Sequence, residues 1–435
     1  MSEHPTKPTA QASRREVKQT TELHQRPGFQ MAAPFPDFVT SRIDAFHDQR
    51  LAVAWQGRHL TRGRRTRRGD VVLQSNDYLA ISGHAAIIEA QRSALSLTGM
   101  GMMMSAQFIH DDMEPLHILE SEMARAFGWE AGILTQSGYA ANVGLIQSIT
   151  SNGLPVYIDI LAHASLWEGI KSAGARGLPF LHNDTDHLKR QILRNGPGVV
   201  AVDAVYSTNG SLSPIAEIAE IASDTGCVFV VDESHSLGTH GNRGEGLVAS
   251  LGLNDRVHFI TASLAKAYCS RAGFIACTQR FKDYFGYEAL PAIFSSSLLP
   301  HDIAGIQAAH QVVGAEVWRR TRLKSITRYI RGELTELGFP IDEGTEQIIA
   351  FEAGADLSTA KVRDILEDNG IIGSVFASPA TALNRSLLRL TLNSGISDRD
   401  VEHLVSVCAR VREDLCLPSW SASKRKAIST SGKRR

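Results

Sequence analysis

The sequence predicts an α/β protein, with a mainly parallel seven-stranded sheet in a large domain and a smaller α+β domain towards the C-terminus. Three observations predict it. Between residue 116 and about residue 280, short apolar runs alternate with segments of helical period, the pattern of strands buried on both faces and joined by helical crossovers. From 301 onward the pattern changes to a long helical stretch followed by short strands and helices. The 435 residues, 43% hydrophobic and 21% charged, suffice for a large core shared by two or three domains.

Taken in order, a polar tail over 1–35 lacks the apolar centre of a secretory signal and is expected to be disordered. An N-terminal segment, 36–97, holds a helix near 35–53 with Asp37 or Ser41 as cap, then an arginine-rich loop at 58–70. Six arginines there suit either a solvated hairpin tip or a grip on an anionic ligand such as a nucleotide phosphate. A short strand follows in 70–84 and breaks at the turn-forming Ser75, Asn76 and Asp77, before a helix at 85–97. Met100, Met102, Met103 and Met104 crowd the next segment, where they either fill core gaps or line a flexible apolar channel.

The large domain, 98–300, contains strands at 131–136, 154–159, 177–182, 198–203, 227–232, 257–261 and 272–277. The C-terminal domain, 301–418, begins with a helical stretch to about 337 and includes strands in 347–354, 371–377 and 386–394. A basic tail, 419–435, is short of apolar residues and expected to be disordered.

A formal net charge of −1 provides no overall field for nucleic acid. No run of 18 apolar residues exists to span a membrane. Cys227, Cys269, Cys277, Cys408 and Cys416 are odd in number, without a CxxC pair, and mostly inside apolar runs. They read as reduced thiols in a cytoplasmic protein, and no metal site is expected.

Lys266 lies between the last two strands of the large domain, on the turn that joins them. Alone it is read first as a surface-loop lysine and only second as a Schiff-base anchor. The four preceding strand ends decide between them, because ligands of parallel sheets bind at the carboxyl ends of the strands. Ser137, Gly138 and Tyr139 follow one strand and open a helix, an arrangement that suits a cap or a phosphate. Asp159 and His163 follow the next, Asp203 and Ser207 a third, and Asp232 and His235 a fourth. Pyridoxal phosphate needs such a set: a lysine for its aldehyde, a helix N-terminus with hydroxyls for its phosphate, and a carboxylate for its pyridine nitrogen. Ser263, just before the lysine, adds a phosphate contact, His163 a ring to stack, and Ser207 and His235 partners for the phenolic oxygen.

The segments SNDYL (75–79), SGYAAN (137–142), HASLWEG (163–169), VDESHSLGTHG (231–241), TASLAK (261–266) and RLTLN (389–393) together resemble the α-oxoamine synthases, pyridoxal-phosphate enzymes of fold type I. The resemblance covers about 36–417 and is strongest to the α-hydroxyketone autoinducer synthases of bacterial quorum sensing. MGMMMSAQF stands where biotin-pathway and 5-aminolevulinate synthases usually carry a glycine-rich segment. The resemblance implies Lys266 as anchor and proton shuttle, Asp232 at the ring nitrogen, His163 and His235 at the ring, and Asn76 and Arg389 for the amino acid's carboxylate. It also implies a homodimer with shared sites, in which Ser296 reaches the partner's phosphate. The implied substrates are a medium-chain acyl-CoA with S-adenosylmethionine or 2-aminobutyrate. The alternative products are 8-amino-7-oxononanoate or a sphingoid base.

Overall fold

The strands form at β1 (Val71–Val72), β2 (Ala131–Thr135), β3 (Pro155–Asp159), β4 (Arg176–Phe180), β5 (Val199–Asp203), β6 (Val228–Asp232), β7 (Phe259–Ser263), β8 (Gly273–Cys277), β9 (Ile348–Gly354), β10 (Ile371–Ile372), β11 (Ser374–Phe376) and β12 (Ser386–Thr391). They come from a computed structural model that describes residues 33–432 apart from Met103 and His110. The expected tail therefore lies outside the described residues up to 32, as does Met103.

Seven strands make one sheet in the order β2-β8-β7-β6-β5-β3-β4. Strands β3 to β7 pair in parallel, and β8 is antiparallel to both of its neighbours. Alternate residues of each strand enter different cores, as the two-residue period of a strand requires. Val156, Ile158, Val199, Ala201 and Val230 pack with Leu145, Ile146 and Leu166 on one face. Tyr157, Val200, Val202, Phe229 and Val231 join Leu188, Ile192 and Ile218 on the other. Helices on both faces explain why the strands read as unbroken apolar runs.

A second sheet runs β11-β12-β9, antiparallel throughout, and β1 pairs in parallel with β10. The expected single strand over 371–377 is thus two strands in two sheets. Gly373 separates them: a Cβ there would lie 2.7 Å from a methyl of Leu390 and 3.0 Å from the Arg389 carbonyl. The expected long helix is also divided, at Glu316, into Pro300–Ala315 and Val317–Glu336.

The chain parts into two compact units between His59 and Leu60. In the first, helix Asp37–Asp44 runs into a π-helix, Ala45–Ala54, with the Arg50 guanidinium 4.7 Å over the Trp55 ring. Its N-cap is Pro36, so neither Asp37 nor Ser41 serves as cap. Within the second unit, helix Pro300–Ala315 packs on helix Ala85–Thr98, and β1 joins β10, so elements from both ends of the sequence share its packing.

Beyond residue 418 the structure has a helix, Ser421–Gly432, where a disordered tail is expected. Its start is anchored by Trp420, buried against Phe339 and Phe351 at 6.0 and 5.6 Å. Arg425 and Ser421 both bind the carboxylate of Glu352. Composition misses this segment because one tryptophan and the ion pairs of Arg425 and Lys426, rather than an apolar stripe, attach it. Cys227, Cys277 and Cys408 are buried, whereas Cys416 is exposed; none forms a disulfide. Among the described residues no helix is long and apolar enough to cross a membrane.

Candidate active site

The site is built from the carboxyl edge of the large sheet. At the end of β2, Ser137 caps helix Gly138–Ile149, its Oγ accepting from the Ala140 amide at 3.1 Å. The first-turn amides of such a helix have no partner within it and carry its positive end. Ser263, at the end of β7, comes so close that a Cβ on Gly138 would sit 2.5 Å from the Ser263 Cβ. Glycine is required there for close approach, and the result is a cradle of backbone N–H and hydroxyl groups. Ser263 is held by its own amide, which donates to Ser234 Oγ at 2.8 Å. Tyr139 is half exposed.

Asp232 ends β6, 3% exposed. Its two oxygens accept from Asn142 Nδ2 at 2.7 Å and from the Ser234 amide at 2.8 Å. Asn142 also donates to Ser165 Oγ at 2.8 Å and accepts from Thr261 Oγ1 at 2.6 Å. Every hydrogen-bonding position of that amide group except spare acceptor capacity is used. His163 caps helix Ala164–Ser172, with Nδ1 2.7 Å from Ser165 Oγ and its amide bonded to Asp203 Oδ1 at 3.1 Å. The ring is exposed and oriented, as a stacking group has to be. Burial, followed by the neighbouring Asp232 charge, holds the Asp203 carboxyl well above the usual carboxylate range.

A second chain of contacts reaches the same place. Tyr78 hydroxyl lies 2.5 Å from His235 Nδ1 and 3.4 Å from Asn76 Oδ1, and Arg389 Nη2 donates to Asn76 Oδ1. Gln347 fixes the backbone of this turn by donating to the His235 carbonyl at 2.9 Å. Arg389 is buried, and its Nε has no partner among the described residues. A buried guanidinium with a free donor is suited to a carboxylate. Burial pushes the Tyr78 phenol up to about 12.

Lys266 occupies the β7–β8 turn, its carbonyl accepting from the Cys269 amide at 3.0 Å. Burial, then the Arg389 charge, lowers its pKa from 10.5, against an opposing pull from Asp232. His235 feels Arg389, Lys266 and His163, and its burial keeps it well below 6.5. Lys266, Asp232, His163, His235, Asn76 and Arg389 are therefore one electrostatic neighbourhood.

Two expected residues are less tightly joined. Ser207 follows β5 at the same sheet edge, and its hydroxyl makes no hydrogen bond among the described residues. Ser296 is exposed; its carbonyl accepts from Gln136 Nε2 at 2.8 Å, beside Ser137 of its own chain. Sequence reasoning leaves out Asn142, Ser165, Thr261, Tyr78 and Gln347. Tyr78 and Asn142 lie within the SNDYL and SGYAAN segments, but their partners are remote in sequence. The residues fit pyridoxal phosphate: a glycine-made cradle for the phosphate, a buried carboxylate for the ring nitrogen and a desolvated lysine for the aldehyde.

The arginine-rich loop is a docked segment rather than a hairpin tip. Arg64 pairs with Asp70 through two 2.8 Å bonds and donates to the Glu367 carbonyl, whereas Arg62, Arg65, Arg67 and Arg68 are exposed. Met100, Met102 and Met104 are exposed as well, so they fill no gap in the core of this chain.

Comparison with known proteins agrees with this geometry. The family model for "Aminotransferase class I and II" matches residues 68–407. A CAI-1 autoinducer synthase of Vibrio campbellii is 42% identical over 375 residues, covering 86% of this chain and 95% of that protein. An 8-amino-7-oxononanoate synthase of Geotalea daltonii is 32% identical over 79% of this chain and 89% of its own length. Among solved structures, a Sphingomonas wittichii serine palmitoyltransferase superposes with a TM-score of 0.79 at 22% identity, covering 87% of this chain and 98% of that one. That likeness concerns the fold.

Two outcomes follow from the geometry. In Gly138→Ala the new methyl must displace Ser263, so retention of pyridoxal phosphate on dialysis falls by about tenfold or more; wild-type retention would show that the cradle tolerates the methyl. His235 has a lowered folded pKa, so its contribution to stability is present above 6.5 and is lost as pH falls below that value. In urea unfolding between pH 7.5 and pH 5.5, His235→Asn should lose a slope approaching about 1.4 kcal/mol per pH unit at the acid end. Equal slopes in both proteins would mean that His235 is not held neutral.

Proposed function

Because the chain belongs to the aminotransferase class I and II family and, within it, to the pyridoxal-phosphate-dependent α-oxoamine synthases, we propose that it condenses a medium-chain acyl-CoA with S-adenosylmethionine or 2-aminobutyrate to an aminoketone. That product would be the precursor of an α-hydroxyketone autoinducer. The observation that carries this choice among oxoamine synthases is the likeness to the Vibrio campbellii protein along nearly its whole length.

When bound, pyridoxal phosphate supplies the electron sink for charge that develops at the α-carbon of the amino acid. Lys266 would anchor the cofactor, and its Nζ would take the α-proton of the amino acid. Its burial and the Arg389 charge weaken its hold on its own proton, which suits a base. Asp232, held by Asn142 and Ser234, pairs with the ring nitrogen. His163 would face the ring, and His235 with Ser207 would meet the phenolic oxygen. Ser137, Gly138, Tyr139 and Ser263 hold the phosphate. Arg389 and Asn76 receive the amino acid's carboxylate, the partner that the free Arg389 Nε lacks.

The working enzyme in this reading is a homodimer with shared sites, Ser296 serving the partner's phosphate. Supporting it, Leu97, Met100, Met102, Met104 and Phe294 are all exposed, and Ser105 Oγ ties the methionine segment to the Ala292 carbonyl at 2.9 Å. An apolar surface of that kind is what a second subunit covers. Unpaired thiols at Cys227, Cys277 and Cys408 suit the cytoplasm, where acyl-CoA is supplied.

Mass spectrometry of products from acyl-CoA thioesters of graded length, each with either amino donor, tests the assignment. A medium-chain aminoketone that vanishes in Lys266→Ala is the expected result. If only 8-amino-7-oxononanoate or a long-chain sphingoid ketone formed, the autoinducer assignment would be wrong while the family chemistry stood.

A further inference from the structure

Asp159 ends β3 with its side chain wholly buried, and the reaction proposed above gives it no task. Its carboxylate is surrounded by donors. Oδ1 accepts from the Leu161 amide at 2.8 Å and Oδ2 from the Asn183 amide at 2.9 Å, while His182 Nδ1 lies 3.1 Å from both oxygens. A carboxylate accepts and does not donate, so Nδ1 carries the proton and the ring's orientation is fixed. Its other nitrogen, Nε2, lies 2.9 Å from Ser211 Oγ.

Ser211 closes the loop that carries Ser207. After β5 the chain forms a narrow hairpin in which Val205 bridges Leu212, the Tyr206 amide donates to the Ser211 carbonyl at 2.9 Å, and the Gly210 amide donates to the Tyr206 carbonyl at 2.9 Å. Residues 207–210 are its tip. His182 holds both members of the closing pair, Ser211 through the hydroxyl and Tyr206 through an edge-to-face ring contact at 4.4 Å. Asn183 holds the next rung, its Nδ2 donating to the Leu212 carbonyl at 2.8 Å. The Ser211 hydroxyl also lies 2.8 Å from Asn209 Oδ1, so the grip continues into the tip. On its other flank the tip rests on the amides of Thr345 and Glu346, which donate to the Gly210 carbonyl at 3.0 Å.

A hydrogen bond weakens steeply with distance and angle, so a hydroxyl on a hairpin tip is useful only where its hairpin is fixed. Resting on the reading that Ser207 meets the phenolic oxygen of pyridoxal phosphate, we propose that Asp159, His182 and Asn183 are positioning residues: they lock the hairpin 205–212 so that Ser207 Oγ is presented to that oxygen. Through the Leu161 amide the same carboxylate orders the turn that leads to His163. One buried group thereby places both the residue that faces the ring and the residue at its oxygen.

A donor to the phenolic oxygen favours its charged form, so loss of the donor raises the pH midpoint of the bound cofactor's near-visible absorption change. That midpoint is measured in holoenzyme carrying Ser207→Ala, His182→Ala, Ser211→Ala, His182→Gln, or either of the second and third combined with Ser207→Ala. Ser207→Ala should raise it by about half a pH unit or more. His182→Ala and Ser211→Ala should each reproduce at least about half of that rise and add nothing to it in the Ser207→Ala background. His182→Gln, long enough to reach Ser211, should return the midpoint towards wild type. Ser211→Ala removes a single buried oxygen, which keeps the test open if His182→Ala does not fold. A midpoint moved by Ser207→Ala but not by Ser211→Ala or His182→Ala overturns the proposal, and so do rises that add to that of Ser207→Ala. A midpoint that Ser207→Ala leaves unmoved overturns the assignment of Ser207 itself, and the proposal with it.

Discussion

One side-chain amide, that of Asn142, sets the relative positions of the groups on which the chemistry depends. Its nitrogen donates to Asp232 and Ser165, and its oxygen accepts from Thr261. Those partners belong to β6, to the helix capped by His163, and to β7, the strand that leads to Lys266. The amide itself rides on the helix that Ser137 caps. A buried polar network is stabilising only when every member is satisfied, and a satisfied one permits a single arrangement. Asn142 thereby sets Asp232, the helix capped by His163 and the strand leading to Lys266 in one geometry. Such advance ordering spares the reaction the cost of organising its groups.

Around this scaffold the charges are deliberately unequal. Burial and the Arg389 charge lower the pKa of Lys266, and Asp232 opposes them. Burial first, and then the Arg389 charge, hold the His235 imidazole well below the usual histidine range. A neutral imidazole fixed by Tyr78 can share a hydrogen bond without adding another positive charge beside the lysine. The guanidinium of Arg389 has Asn76 as a neutral companion, so its charge is left for an incoming carboxylate.

Much of this was legible in the sequence because a parallel sheet collects the residues after its strands at one edge. Ser137, His163, Asp203, Asp232 and Lys266 each follow an apolar run, and periodicity alone located them. Asn142 and Tyr78 were not legible in the same way: a polar residue inside a helix, or a tyrosine in a turn, shows its purpose only when a partner from a distant segment meets it. The break of 371–377 into two strands depends on how closely Gly373 meets Leu390 and the Arg389 carbonyl, which is a tertiary fact. The C-terminal helix is attached through Trp420 and the pair between Arg425 and the buried Glu352. Average composition cannot register two such contacts. The arginine-rich loop showed its charge in the sequence, but not that Arg64 is committed to Asp70 and Glu367.

The central claim is that Lys266 carries the cofactor at the edge of the large sheet. Borohydride reduction of the holoenzyme fixes the cofactor to the lysine that holds it, and peptide mass mapping identifies that lysine. The account predicts the pyridoxyl label on Lys266 and no label in Lys266→Ala; a label on another lysine of the wild-type protein would contradict it.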